Sequence, residues 1–171
     1  PDLKKNYIRQ SDKINGLKET VEIQAHKDQM DNNLVHPKLS MISGNQFIAN
    51  PQFQEEVFGP FSLVVKCKNL QELEQVIYHL EGQLTGSIFA QADDYELIEP
   101  LIQAFKSKVG RLLFNDVPTG VEVSEAMTHG GPYPASSDSR FTAVGPGSIY
   151  RWIRPITYQN WPMELLAKLM N

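Results

Sequence analysis

The sequence has 171 residues, 41% of them apolar and 21% charged; that is enough apolar material for one full core, and it excludes disorder as the general state. A net charge of −4, with 16 Lys and Arg scattered along the chain, leaves no basic footprint, so DNA and RNA are excluded as main partners. No apolar run approaches the roughly 20 residues of a bilayer-spanning helix. No signal-peptide pattern precedes the first helix and the single cysteine, Cys67, excludes an internal disulfide, so the expected setting is cytoplasmic with no membrane partner.

In chain order, apolar spacing predicts a helix over residues 3–18, interrupted at Gly16. VEIQA, residues 21–25, alternates as a half-buried strand should, and residues 26–38 have no period and read as a loop. LSMIS and QFIAN flank Gly44-Asn45 and suit a short extended pair. Gly59-Pro60 marks a turn into FSLVVKC, a β-branched run that reads as a buried strand. Leu70, Leu73, Val76, Ile77 and Leu80 then recur at helical spacing, with Asn69 and Glu72 as a capping box and Gly82 as the stop. LTGSIFA is a further strand. Asp93 with Glu96 caps a second helix whose stripe is Leu97, Ile98, Leu101, Ile102 and Phe105, with Pro100 marking a kink or its true start. Gly110 ends that helix and RLLFN supplies a last strand.

Strand, helix, strand, helix, strand with short connections is the pattern of an α/β fold: a three-layer parallel sheet with helices flanking both faces. Residues 119–147, rich in Gly, Pro and Ser, are too long for an ordinary connection and read as a functional or interface loop. SIYRWIRPITYQNW follows with period two, and Pro155 places it at a sheet edge or against another chain. The last ten or so residues suit a short amphipathic helix. The expected division is an α/β portion, 1–148, and a strand with a short helix for oligomerisation, 149–171.

Ligands of parallel sheets gather beyond the carboxyl ends of the strands, yet neither GxGxxG nor GxxxxGK[ST] occurs. His26, His36, His79 and His129 are far apart and Cys67 has no paired cysteine, so no metal is expected. Lys66 and Lys68 flank Cys67 and would lower a thiol pKa, but strand alternation sends them to the opposite face from Cys67, Phe61, Leu63 and Val65. Cys67 reads as a small buried hydrophobe rather than a nucleophile.

Glu55-Glu56-Val57-Phe58-Gly59-Pro60 before a strand resembles the cofactor motif of the aldehyde dehydrogenase superfamily. GRLLFN, ending at Asn115, is similar to that family's Gly-x-x-x-x-Asn strand, and GQLTGSIFA to the strand before it. The loop PTGVEVSEAMTHGGPYPASSDSRFTAVG with RPITYQNWP resembles the branch acting on α-ketoglutaric semialdehyde (2,5-dioxopentanoate) and its NADP-using relatives. The likeness is strong over residues 55–162.

The resemblance implies an enzyme in which a cysteine thiolate attacks an aldehyde, hydride passes to NAD or NADP, and a glutamate-activated water releases the acid. It implies that Glu56 accepts hydrogen bonds from the nicotinamide ribose hydroxyls, that Phe58 packs beside the nicotinamide, and that Glu55 stays on the solvated side. A carboxylate has two oxygens suited to a vicinal diol, and a ring limits where a flat heterocycle sits. His129, in His129-Gly130-Gly131-Pro132, falls at the substrate mouth, either assisting proton transfer or only lining the tunnel. Neither Arg111 nor Arg140 is placed in the pocket by sequence. The family's nucleophile lies farther upstream of the motif than the 54 residues available here, so this reads as a carboxyl-terminal part, inactive alone, whose parent forms a homo-oligomer through the carboxyl-terminal strand. The alternative is a stand-alone small-molecule-binding or oligomerisation module.

Overall fold

The structure is a computed structural model that describes residues 2–17, 20–25 and 34–169; His26 lies outside them. Helix α1, Asp2–Asn15, buries Tyr7, Ser11 and Ile14, one stripe at spacings of four and three, and ends where the Gly16 amide donates to the Asp12 carbonyl. Strand β1, Val21–Ala25, runs antiparallel to β2, Lys38–Ser43, which pairs in parallel with β3, Phe61–Lys66. Between β2 and β3 the chain crosses over through helix α2, Gly44–Ala49, and a 3-10 turn, Pro51–Gln54.

Helix α2 corrects the extended pair expected from QFIAN. The Ser43 hydroxyl accepts from the Gln46 amide and the Gln46 carboxamide oxygen accepts from the Ser43 amide at 2.8 Å, a reciprocal cap that starts a helix, and Phe47 is buried by it. Helix α3, Leu70–His79, opens on Asn69, whose side chain accepts from the Glu72 amide at 2.9 Å. Glu72 does not complete a box there. Its buried carboxylate accepts from the Lys68 amide at 2.5 Å and the Asn45 amide at 3.1 Å, tying the start of α3 to the start of α2.

Strands β4, Gln83–Ile88, and β5, Val109–Phe114, pair in parallel around helix α4, Tyr95–Lys106. Its entry is a 3-10 turn, Ala92–Asp94, in which Asp94 rather than Asp93 does the capping, accepting from the Gln91 amide at 2.9 Å. Pro100 sits inside α4, and Gly110 lies within β5 rather than at the helix end. Two cores result. Val76 joins Ile14, Ile42, Phe47 and Phe53, while its neighbour Ile77 joins Ile88, Ile98, Leu101 and Ala104. Successive helical residues point about 100° apart, so α3 serves both cores; each large side chain so buried stabilises the fold by about 1.5–3 kcal/mol.

The fold is α/β with parallel strands and flanking helices, but among the described residues the strands do not form one continuous sheet. Hydrogen bonding gives a three-stranded piece, β1-β2-β3, and a two-stranded piece, β4-β5, joined through the packing of α2, α3 and α4 rather than by a ladder. Nor are both faces covered. On β3, Phe61, Leu63 and Val65 pack on the first core with Cys67 beyond them, while Ser62, Val64 and Lys66 are exposed among the described residues. The apolar positions of β1 expected to be half-buried, Val21 and Ile23, are exposed as well, because β1 is an edge.

Within this chain no strand forms over 149–158 among the described residues. Pro146–Arg151 form a 3-10 helix, and residues 153–159 run without pairing to any described strand. Gly145-Pro146 favours a helical start, and Pro155 has no N–H to give a ladder. Helix α5, Met163–Leu169, forms where expected, with no buried side chain.

Candidate functional site

The Glu55-Glu56-Val57-Phe58-Gly59-Pro60 stretch enters β3 over the side of α1. Tyr7 is 2% exposed and its hydroxyl lies 2.8 Å from the His36 carbonyl and 3.2 Å from that of Pro60. Its ring lies so close to Gly59, at φ +151°, that a Cβ there would collide with it, and L side chains rarely adopt that φ. Glycine is thus dictated by packing at the strand entry. Burial, then the charge of Asp12, pushes the Tyr7 phenol pKa up.

Two contacts hold the start of this stretch. The Gln54 side chain accepts from the Glu81 amide at 2.9 Å, and Lys13 of α1 grips Glu55 through both carboxylate oxygens at 2.7 and 2.8 Å. Glu56 has no hydrogen-bond or ion-pair partner among the described residues. It lines a hollow of about 600 Å³ with Glu55, Glu81, Gly82, Leu84 and Ala135. Phe58 is 62% exposed and lines no part of that hollow.

His129 lines a second hollow, of about 510 Å³, with Leu84, Ala135, Phe141 and Arg151. Leu84 and Ala135 belong to both hollows, so Glu56 and His129 occupy adjoining spaces. The loop carrying His129 is held by backbone. Its amide donates to the Thr142 hydroxyl at 2.8 Å and its carbonyl accepts from the Ala143 amide at 2.8 Å, while the Thr142 hydroxyl donates to the Val144 carbonyl at 2.8 Å. Ser136 donates to the Gly131 carbonyl at 2.6 Å. The His129 Nδ1 is buried with no hydrogen-bond partner among the described residues.

Glycines let this loop lie against the strands. A Cβ on Gly82 would overlap the Pro132 carbonyl and one on Gly110 the Gly130 carbonyl, and Gly82 donates its amide to the Tyr133 carbonyl at 3.1 Å. Because Gly82 and Gly110 sit at the amino ends of β4 and β5, and Glu56 precedes β3, the two hollows gather at the amino ends of the parallel strands.

At the carboxyl ends of β4 and β5 a side chain clamps the two strands together. Asn115, at φ +50°, donates from its amide group to the Ala90 carbonyl and accepts from the Ala90 amide, both at 2.9 Å, while its own N–H reaches Ile88. The side chain extends the β4-β5 ladder by one step, in a left-handed turn that Asn tolerates. The Gly-x-x-x-x-Asn motif is therefore structural at both ends: Gly110 for loop approach, Asn115 for the strand exit.

The remaining candidates separate cleanly. Cys67 is half-buried on the core face of β3, where burial, then the charge of Glu72, raises its thiol pKa; it lines neither hollow. His79 bonds its own helix through the Gln75 carbonyl, and no metal-holding group of His, Cys, Asp and Glu occurs among the described residues. Arg111 donates to the Gly120 carbonyl at 2.7 Å and lines neither hollow. Arg140 forks onto Asp138 at 2.6–3.2 Å, and these bonds hold the Asp138 carboxyl at about 2. Sequence reasoning missed Glu81 and Arg151, which reach the hollows from a turn and a 3-10 helix with no motif of their own.

No protein-family model matches the chain. Its fold is that of part of an aldehyde dehydrogenase: it superposes on Δ-pyrroline-5-carboxylate dehydrogenase from Mycobacterium tuberculosis with a TM-score of 0.67 at 21% identity, over 89% of this chain and 27% of that one. It also superposes on betaine aldehyde dehydrogenase from Staphylococcus aureus, crystallised with NAD+, with a TM-score of 0.62 at 18% identity, over 88% and 28%. In sequence it is 48% identical over 127 residues to α-ketoglutaric semialdehyde dehydrogenase 2 of Azospirillum brasilense, covering 74% of this chain and 24% of that protein. The Acinetobacter baylyi α-ketoglutaric semialdehyde dehydrogenase is also 48% identical, over 122 residues. The chain belongs to the aldehyde dehydrogenase superfamily and spans about a quarter of the length of these curated relatives.

Proposed function

We propose that the chain is the carboxyl-terminal part of an NAD(P)-dependent aldehyde dehydrogenase that oxidises α-ketoglutaric semialdehyde to the corresponding acid. The observation that carries this reading is the position of Glu56: of the two adjacent glutamates, Glu55 is engaged by Lys13, while Glu56 has no partner among the described residues and lines the hollow adjoining that of His129. An unpaired carboxylate at the lip of a roomy hollow suits a vicinal diol, which can donate one hydrogen bond to each oxygen. Glu56 would hold the nicotinamide ribose, and Phe58, two residues on and exposed, would bound the ring from outside the hollow's lining. The cofactor, when bound, supplies the hydride acceptor. NAD is supported by the neighbours crystallised with it.

His129 is the group facing the aldehyde. Its side chain lines the hollow that adjoins that of Glu56, where a polar aldehyde would lie. The thiolate nucleophile comes from elsewhere in the complete protein. Cys67 is the only cysteine in these 171 residues, and its place on the core face with a raised pKa leaves it unfit. The chain alone should therefore not reduce NAD(P) with any aldehyde.

Single-turnover cofactor reduction in the complete enzyme tests the assignment. Glu56→Gln keeps the size but weakens bonds that a charged acceptor makes stronger, and should slow hydride transfer roughly tenfold or more, about 1.4 kcal/mol. Phe58→Ala should act in the same direction and Glu55→Gln should do little. Slowing by Glu55→Gln without slowing by Glu56→Gln would reverse the roles of the two carboxylates.

The segment 149–171 forms a separate unit in this reading. Its exposed aromatic and aliphatic side chains, among them Tyr150, Trp152 (84% exposed) and Ile156, serve a subunit contact of a cytoplasmic homo-oligomer. Sedimentation of the complete enzyme carrying Trp152→Ser should show dissociation; an unchanged oligomer would remove this assignment.

A further inference from the structure

The two adjoining hollows differ in charge. Glu55, Glu56 and Glu81 line the first and no cationic side chain does. In the second, the acid Asp138 is already neutralised by the fork of Arg140, while Arg151 also lines the space and has no ion-pair partner among the described residues. Ser137 lines it too, and its hydroxyl has no partner among the described residues, whereas that of Ser136 is committed to Gly131.

Arg151 is also held in relation to His129. It ends the 3-10 helix Pro146–Arg151, which begins two residues after Val144, and the Thr142 hydroxyl that receives the His129 amide donates to the Val144 carbonyl. Arg151 and His129 therefore line one space from the two sides of a single threonine hinge.

From this geometry we infer that Arg151 is the specificity-determining cation of the substrate hollow, binding the carboxylate at the far end of an acidic aldehyde, with the Ser137 hydroxyl beside it. The inference rests on the proposed aldehyde oxidation and adds the residue that selects the substrate. Guanidinium is suited to the task because its planar donors match a carboxylate edge and remain charged at any working pH. The neighbouring acidic hollow strengthens the discrimination. An acidic substrate is repelled from Glu56 and Glu81 and attracted to Arg151, so the field alone turns its aldehyde end toward the cofactor side.

The test uses the complete enzyme with two aldehydes of equal chain length, glutaric semialdehyde and pentanal, and reads the ratio of their kcat/KM values. Arg151→Ala should lower that ratio roughly 10- to 100-fold, the range for losing a hydrogen bond to a charged group, chiefly through KM for the acidic aldehyde. Arg151→Lys should recover part of it and Arg151→Glu should lower it further. A purely structural arginine would lower both substrates together and leave the ratio intact, which overturns the inference. A parallel titration with glutarate reads binding without turnover: weakening of tenfold or more in Arg151→Ala supports the assignment, and unchanged binding overturns it. Should the enzyme oxidise neither aldehyde while Arg151→Ala still abolishes glutarate binding, the aldehyde reading fails and the carboxylate site stands.

Discussion

Residues 119–147, rich in Gly, Pro and Ser, and 149–162, rich in aromatic residues, are both largely irregular, and only the first is held. The first carries no helix or strand before its final 3-10 turn, yet its backbone groups find partners at Gly82, Thr142, Ala143 and Val144, and its glycines allow contact with the amino ends of β4 and β5. The second has more aromatic surface, including the edge-to-face pair Tyr158 and Trp161 at 5.2 Å, but nearly all of it faces outward. The contrast shows that a loop acquires a fixed shape from satisfied backbone and permitted close approach. Apolar content alone does not confer one.

The sharpest way to break the contrast is Gly110→Ala. The added methyl would occupy the place of the Gly130 carbonyl oxygen, which no side-chain rotation relieves, so the loop must leave the strand. A loss of about 3 kcal/mol or more is expected in urea unfolding, together with faster amide exchange over residues 129–143. Asn115→Leu attacks the strand exit from which the loop departs. It forces a branched apolar residue into positive φ and strips both bonds to Ala90, which should cost about 2–3 kcal/mol while leaving the amides of 129–143 protected.

Thr142→Val removes one hydroxyl and leaves the His129 amide and the Val144 carbonyl without partners, for an expected loss of about 1–3 kcal/mol; Thr142→Ser should restore most of it. A smaller change is expected at Asp138. Hydrogen bonds from Arg140 depress its pKa to about 2 from an ordinary 3.8, so their contribution is complete above the unfolded value and lost as the pH falls through the folded one. A carbon-detected titration of the Asp138 carboxyl should find a midpoint near 2, moving toward 3.8 in Arg140→Ala. Smallest of all should be Trp152→Ser in the tail, within about 0.5 kcal/mol for this chain's own unfolding, because the side chain has little to lose.

Local chemistry was legible where a single stretch contains the whole cause. The crossover of β3, α3, β4, α4 and β5, the Asn69 cap, the core-facing Cys67 and the terminal helix follow from apolar period, capping residues and strand alternation. Where two local signals competed, the reading failed. Residues 46–50 follow Gly44-Asn45 and read as half of an extended pair, but Ser43 and Gln46 form a reciprocal cap and Phe47 finds the first core, so α2 forms. Likewise the period two of 149–158 meets no partner strand among the described residues; its first residues close a 3-10 helix and 153–159 stay unpaired.

By itself the sequence determined an α/β chain, the strand-entry motif around Glu56 and Phe58, and the loop bearing His129, because each is written in contiguous residues. Only the tertiary structure decided that the sheet divides in two, that Gly110 and Asn115 are structural, that the hollows of Glu56 and His129 adjoin at the amino ends of the strands, and that Glu55 is engaged while Glu56 has no partner among the described residues. Each of these turns on residues far apart in the chain, such as Lys13 with Glu55 or Gly110 with Gly130, and no spacing rule encodes which distant groups will meet.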